Sequence, residues 1–347
     1  MGTVFGGLMA RAFWTLGVPL HPLTPSQTGL AMAQSRCSAR EIKAFKKTPT
    51  FAAVEGFLRA AGAGHEIAVP RDADLSATPL PTLDVVVDDA AKVHRVTGTR
   101  CLCTRLGPLE EGVSKVDDHD GVYALTPAQH YATRARDLDL VGCCLLAMEL
   151  CGLYSLRPDV PEVGFSKRKE SLTTVALLAR QLGRSRGMPG TRRAFEALSY
   201  ACGRSASPME TAVVLLLVLP PELGGYGLPL PRLNRDVTVT HASSRLLEGT
   251  ETVRPDILWP EASFCLEYDS DTYHPEELAE RDRTRRTALQ AVDVEPVSVS
   301  RRMVQDAGAF DDIARLVARR LDLRPEEPDP RTRATLRQRL LRTHPAW

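Results

Sequence analysis

Apolar residues recur along this chain at two periods, and the change of period marks the elements. From Ala39 to Ala61 the positions Ile42, Phe45, Phe51, Val54, Phe57 and Leu58 follow mixed helical spacing, with Thr48-Pro49 placed to break the helix in two. Short β-like runs follow at Leu83 to Val87 and Cys101 to Leu106. Gly121 to Leu125 then leads into Thr126-Pro127, a cap and first helical residue that predict a helix to about Leu153. From Ser207-Pro208 an apolar helix runs to about Leu219, and Pro220 to Pro231 is a Gly/Pro-rich loop. Asp236 to Thr240, Val253 to Leu258 and Ser263 to Tyr268 read as strands. A charged helix from Glu276 to Val292, a strand from Val294 to Val299 and a helix from Met303 to Leu321 complete the order α, β, β, β, α, β, α.

These patterns divide the chain. Residues 1–38 read as an uncertain leader: Met1 to Leu20 is apolar but lacks the basic start and cleavage site of a signal peptide, and Met32 is a candidate alternative start. Residues 39–160 form a mixed α+β N-terminal domain, 161–206 a basic helical connector, 207–322 an α/β domain, and 323–347 a charged tail, frayed or weakly helical.

Composition narrows the class. Hydrophobic residues at 43% and charged residues at 25% of 347 fit a folded protein of two domains. No apolar run reaches the roughly 20 residues that span a bilayer. The eight cysteines show no paired zinc-ligand spacing, and Cys143, Cys144 and Cys151 sit in an apolar helical run, which fits a reducing cytoplasm. The net charge of +1 conceals a local excess: Phe165 to Arg204 holds nine basic residues against Glu170 and Glu196. Lys167, Arg168, Lys169, Arg184, Arg186, Arg192 and Arg193 are therefore candidates for gripping a DNA backbone, the alternative being a solvated helical surface.

The chemistry concentrates in a predicted hairpin. If Val253–Leu258 and Ser263–Tyr268 turn between Glu261 and Ala262, paired residue numbers sum to 523 and Asp256 faces Glu267. Directly opposed side chains in an antiparallel pair have Cβ atoms about 4.5 to 5.5 Å apart, where like charges repel. Alternation puts Asp269 on the face of Glu267 and turns Phe264, Leu266 and Tyr268 away. Converging carboxylates are hard oxygen ligands suited to Mg²⁺ or Mn²⁺. The alternative is an acidic edge in a different register.

Arg254-Pro255-Asp256-Ile257-Leu258-Trp259, then Leu266-Glu267-Tyr268-Asp269-Ser270, His274, and Asp282 with Arg285 and Leu289, resemble the very-short-patch-repair-like (Vsr-like) branch of the PD-(D/E)xK nucleases. The resemblance covers about a third of the chain. It implies a restriction-endonuclease-like three-layer core in the order αβββαβ, with Asp256, Glu267 and Asp269 as metal ligands or water-orienting groups. It also brings Glu210, His274 and Arg285 to the site. Glu210 resembles the acidic residue of the first core helix, but Ser207-Pro208-Met209-Glu210 is equally a capping box. His274 is placed to touch a scissile phosphate or to pack at a helix entry, and Asp282 and Arg285 to form an intrahelical pair. Asp269 stands where the parent motif has Lys, and no Lys follows Lys169. The N-terminal half resembles, more loosely, the region before Vsr-like domains in actinobacterial proteins related to AbiEi-type antitoxins. The expected function is a Mg²⁺- or Mn²⁺-dependent DNA endonuclease or nickase. The rival reading is an inactive nuclease fold acting as a DNA-binding or antitoxin-like regulator.

Overall fold

The first strand, β1 (Thr3–Phe5), is followed by α1 (Gly7–Thr15), β2 (Leu20–Pro22), α2 (Pro25–Gln34), α3 (Ala39–Phe45) and α4 (Pro49–Gly62). Next come β3 (Leu83–Val87), β4 (Thr99–Cys103), β5 (Val113–Val116) and β6 (Val122–Leu125). The computed structural model describes residues 2–62, 79–103, 112–117, 119–160, 163–239, 251–269 and 286–342. The helix break expected at Thr48-Pro49 is present: the Thr48 hydroxyl accepts from Phe51 N–H and opens α4. The six strands form one mixed sheet in the order β2-β5-β6-β1-β3-β4.

Residues 2–38, expected to be a leader, lie within this folded unit. β1 is an inner strand, parallel to β6 and antiparallel to β3, and Val4 and Phe5 are fully buried. Helices α1 and α4 cover one face through Met9, Phe13, Val54 and Leu58, while Met32 of α2 packs on the other with Val4 and Val86. A chain starting at Met32 would lose an inner strand and α1.

The helix expected from Pro127 to Leu153 is two helices, α5 (Pro127–Arg134) and α6 (Leu140–Cys151). Asp139 makes the break by accepting Gly142 N–H as the N-cap of α6. A small hairpin of β7 (Tyr154–Leu156) and β8 (Phe165–Lys167) leads to α7 (Val175–Arg184) and α8 (Thr191–Leu198). This stretch is no mere connector. Leu178, Leu182, Ala194 and Ala197 share one continuous core with α6, α9 and one face of the C-terminal sheet.

The C-terminal part begins with α9 (Pro208–Val218), buried on every side. It continues through β9 (Arg232–Leu233), β10 (Val237–Thr238), β11 (Thr252–Val253), β12 (Ile257–Trp259), β13 (Phe264–Asp269) and β14 (Glu295–Ser300) to α10 (Arg301–Gln305), α11 (Ala307–Arg320) and α12 (Pro330–Arg342). The sheet runs β14-β13-β12-β9, with β13 and β14 parallel and the other pairs antiparallel. Two expectations are corrected. The run Asp236 to Thr240 yields β10, which pairs with β11 outside the main sheet, and the sheet's first strand is the unforeseen β9. The final helix is divided by Asp306, whose carboxylate caps α11 by accepting Ala309 N–H.

Both faces of the four-stranded sheet are covered. Ile257, Phe264 and Leu266 pack with α9 and α11, while Leu258 and Cys265 pack with Ala288 and Leu289, in the helical stretch 286–290. The expected charged helix otherwise lies outside the described residues. The tail is also corrected: α12 buries Leu336 and Leu340 in the core, and Arg333 bonds Asp311 at 2.6 Å. The chain is therefore a mixed α/β protein whose described residues form a six-stranded sheet, a four-stranded sheet and two two-stranded ones. Among the described residues no helix is long and apolar enough to cross a membrane.

Candidate functional site

The β12–β13 hairpin has the register that alternation and turn placement predict: Ile257 faces Leu266, Leu258 faces Cys265 and Trp259 faces Phe264. The turn is a short 3-10 segment, Pro260–Ala262, closed by Ser263 in the left-handed region at φ 47°. One step beyond the last paired residues, Asp256 meets Glu267. Asp256 N–H donates to Glu267 Oε1 at 3.1 Å, and Tyr268 N–H donates to Asp256 Oδ2 at 2.9 Å. The Cys265 thiol reaches the same Glu267 oxygen at 3.7 Å, as expected of neighbours on one strand face. That face is therefore apolar at Cys265, which is fully buried, and acidic only from Glu267 outward. Asp269 ends β13 in an exposed position opposite Ser300 of β14.

Glu210 comes to the same place from α9. Its carboxylate is 6% exposed and does act in a cap, though not in the way the sequence suggests. The Ser207 hydroxyl accepts Glu210 N–H and donates to Oε1, but the backbone N–H that reaches Oε2, at 2.8 Å, is that of Ala206. Burial, then the nearby Asp256 charge, push the Glu210 carboxyl up to about 7 despite three donors. Glu210 thus closes a cap through Ala206 in place of the expected Ser207 backbone, and its charge environment includes Asp256.

Sequence reasoning missed Asn234. It follows β9 in a left-handed conformation, φ 47°, and is 6% exposed. Its Nδ2 donates to Glu210 Oε2 at 2.7 Å and to Arg204 C=O at 3.0 Å, while its N–H donates to Asp256 C=O at 3.1 Å. Arg204 Nε returns a bond to Asn234 C=O at 3.0 Å. One residue thus ties α9, β9 and the residue before β12 together. The one clue in the sequence is a turn-forming Asn in Leu233-Asn234-Arg235-Asp236, since Asn tolerates the left-handed region.

His274, Asp282 and Arg285 lie outside the described residues. Among the described residues no group of three His, Cys, Asp or Glu side chains is arranged to hold a metal ion. The basic stretch divides by environment. Lys167, Lys169, Arg186 and Arg192 are exposed, and Arg184 stands in the last turn of α7. Two others, expected to be DNA contacts, bond to the protein's own backbone. Arg168 donates to the carbonyls of Glu149 and Gly152, with its pKa lowered by burial, and Arg193 donates to Ala135 C=O. Helix α7 packs on α5 and α8 on α6, whereas the carboxylates stand on α9, β13 and the residue before β12; α6 touches both α8 and α9.

Comparison with known proteins adds little. No family model and no solved structure matches the chain. An uncharacterised protein of Mycobacterium tuberculosis, found in strains CDC 1551 / Oshkosh and H37Rv, is 36% identical over 107 residues, 30% of this chain. The match spans about a third of that relative's length, 34%.

Proposed function

We propose that residues 207–322 form a restriction-endonuclease-like core that cleaves or nicks DNA with Mg²⁺ or Mn²⁺. The observation that carries this reading is the meeting of Asp256 and Glu267 beside Glu210, whose carboxyl is raised in part by Asp256. The element order supports it as well: α9, the antiparallel strands β9, β12 and β13, then helical residues and a parallel β14.

A divalent cation fits the donor chemistry, since Mg²⁺ characteristically takes one or two carboxylates and keeps its waters for substrate phosphate. Asp256 and Glu267 would hold it, with Asp269 at the open end of the strand and Glu210 behind. When bound, such an ion activates water and stabilises the leaving oxygen of a phosphodiester. Glu210, near half-protonation at neutral pH, is suited to hold or release a proton there. Asn234 and Ala206 N–H fix Glu210 Oε2. Lys167, Lys169, Arg184, Arg186 and Arg192 would contact the DNA backbone. The likeness of the N-terminal unit to antitoxin-associated regions suggests recognition rather than chemistry.

Incubation of supercoiled plasmid with the full chain and Mn²⁺ tests this. Cleavage abolished by chelator and in both Asp256→Ala and Glu267→Ala is the expected result. Equal cutting by wild type and both variants would refute the assignment of residues. DNA binding without cutting would favour the regulator, a reading supported by Asp269 standing in the place of the usual Lys.

A further inference from the structure

Away from the carboxylates, a cavity of about 990 Å³ lies where the N-terminal unit, α5, α6 and α12 meet. Its volume is at the upper end for small-molecule sites. Its wall contains Arg11, Arg100, Arg134 and Arg339 against Asp84 and Glu149, an excess of two positive charges. The two carboxylates are committed within the wall: Glu149 takes both bonds of Arg11, and Asp84 holds Arg100 in a two-pronged pair. Arg134 and Arg339 pair with Asp137 and Asp139, which are not part of the wall. Arg134 makes a single part-exposed bond to Asp137 and Arg339 is held in a two-pronged pair by Asp139, so an anion in the cavity would share these guanidinium groups with Asp137 and Asp139.

A second observation points inward. His130 lines the cavity at 2% exposure, and its Nδ1 has no hydrogen-bond partner among the described residues. Its ring stands edge-on to Trp14 at 5.2 Å. Burial, then the charges of Arg11 and Arg134, hold its pKa well below the usual value, so the imidazole is neutral. Leaving such a buried nitrogen unpaired is unfavourable, and a ligand hydroxyl or oxygen would remove that penalty. Helix α1 also begins at this wall. Gly7 and Leu8 belong to it, Gly6 offers no side-chain cap, and Gly7 is at φ +52° with Asp84 Oδ2 only 2.2 Å from where a Cβ would stand. A helix start favours negative charge, and the Asp84 carboxylate already supplies it here. Leu8, Leu145, Leu146 and Tyr154 supply apolar wall beyond the arginines.

We propose that this cavity binds a small phosphomonoester with an aromatic body, a mononucleotide in size and chemistry. The phosphate would sit among Arg11, Arg134 and Arg339. The body would lie on the leucines, with a polar edge on His130. The site is separate from the carboxylate cluster and does not depend on nuclease activity.

Isothermal titration calorimetry of the full chain in chelator, with AMP as the probe and adenosine and inorganic phosphate as its halves, tests the inference. The expected result is submillimolar AMP binding, with each half weaker. Arg134→Gln and His130→Phe should each weaken AMP by about tenfold or more while keeping the wild-type circular dichroism. Asp256→Asn should leave AMP affinity unchanged. Absence of AMP binding at millimolar concentration, phosphate binding as tightly as AMP, or wild-type AMP affinity in both cavity variants would each overturn it. Loss of binding in Asp256→Asn would relocate the nucleotide to the carboxylates and equally overturn it.

Discussion

Replacing Glu210 with Gln isolates the strain of crowding carboxylates at the start of α9. The Glu210 carboxyl is pushed from 4.5 up to about 7, first by burial and then by Asp256. Because the folded pKa exceeds the unfolded one, the folded state binds the extra proton. The stability linked to this group is fully present below about pH 4.5 and is lost as pH rises to about 7, after which it stays flat. A shift of that size corresponds to about 3 kcal/mol at pH 8. Glu210→Gln removes the titration and, with its amide oxygen in the Oε2 position, keeps the bonds from Ala206 N–H and Asn234 Nδ2 while its NH₂ faces the Ser207 hydroxyl, which must turn to accept it. The pH dependence is diagnostic: between pH 5 and pH 8 the stability of wild type relative to Glu210→Gln should fall by roughly 2–3 kcal/mol. Urea unfolding in chelator at both pH values measures it. His130 has the opposite sign, its depressed pKa removing stability as pH falls below about 6.5, but it contributes equally to both proteins and cancels. Parallel stability–pH curves for wild type and Glu210→Gln would refute the reasoning.

Two further outcomes follow from the same geometry. Asn234→Ala removes two donated bonds and a residue suited to φ 47°, so a loss of about 2–4 kcal/mol is expected in urea unfolding, with Glu210 titrating higher still; a change under about 0.5 kcal/mol would show that Asn234 holds nothing. Arg192→Gln should weaken DNA binding and reduce its log-log salt slope by at most about one unit, whereas Arg168→Gln should destabilise the fold and leave the slope unchanged; identical effects of the two would remove the distinction between exposed grip and internal strut.

Local chemistry determined much of this protein. Thr48-Pro49 divides α3 from α4, Ser207-Pro208 opens α9, and Pro260 to Ser263 sets a turn from which the whole β12–β13 register follows. Because side chains alternate along a strand, that register alone sufficed to bring Asp256 to Glu267. Tertiary structure decided the rest. β1 and β9 are three and two residues long, too short to carry a period, and they are strands because β6, β3 and β12 offer them backbone partners distant in sequence. Arg168 reads as one more cation in a basic run, and only its partners, the carbonyls at the end of α6, make it structural. In the same way α12 looks like a charged tail until α9 and α11 give Leu336 and Leu340 somewhere to be buried. Asn234 acquires its place beside Glu210 from a contact across 24 residues. Periodicity and caps act within a few residues, whereas burial and partnership depend on which distant segments pack together, which no local window contains.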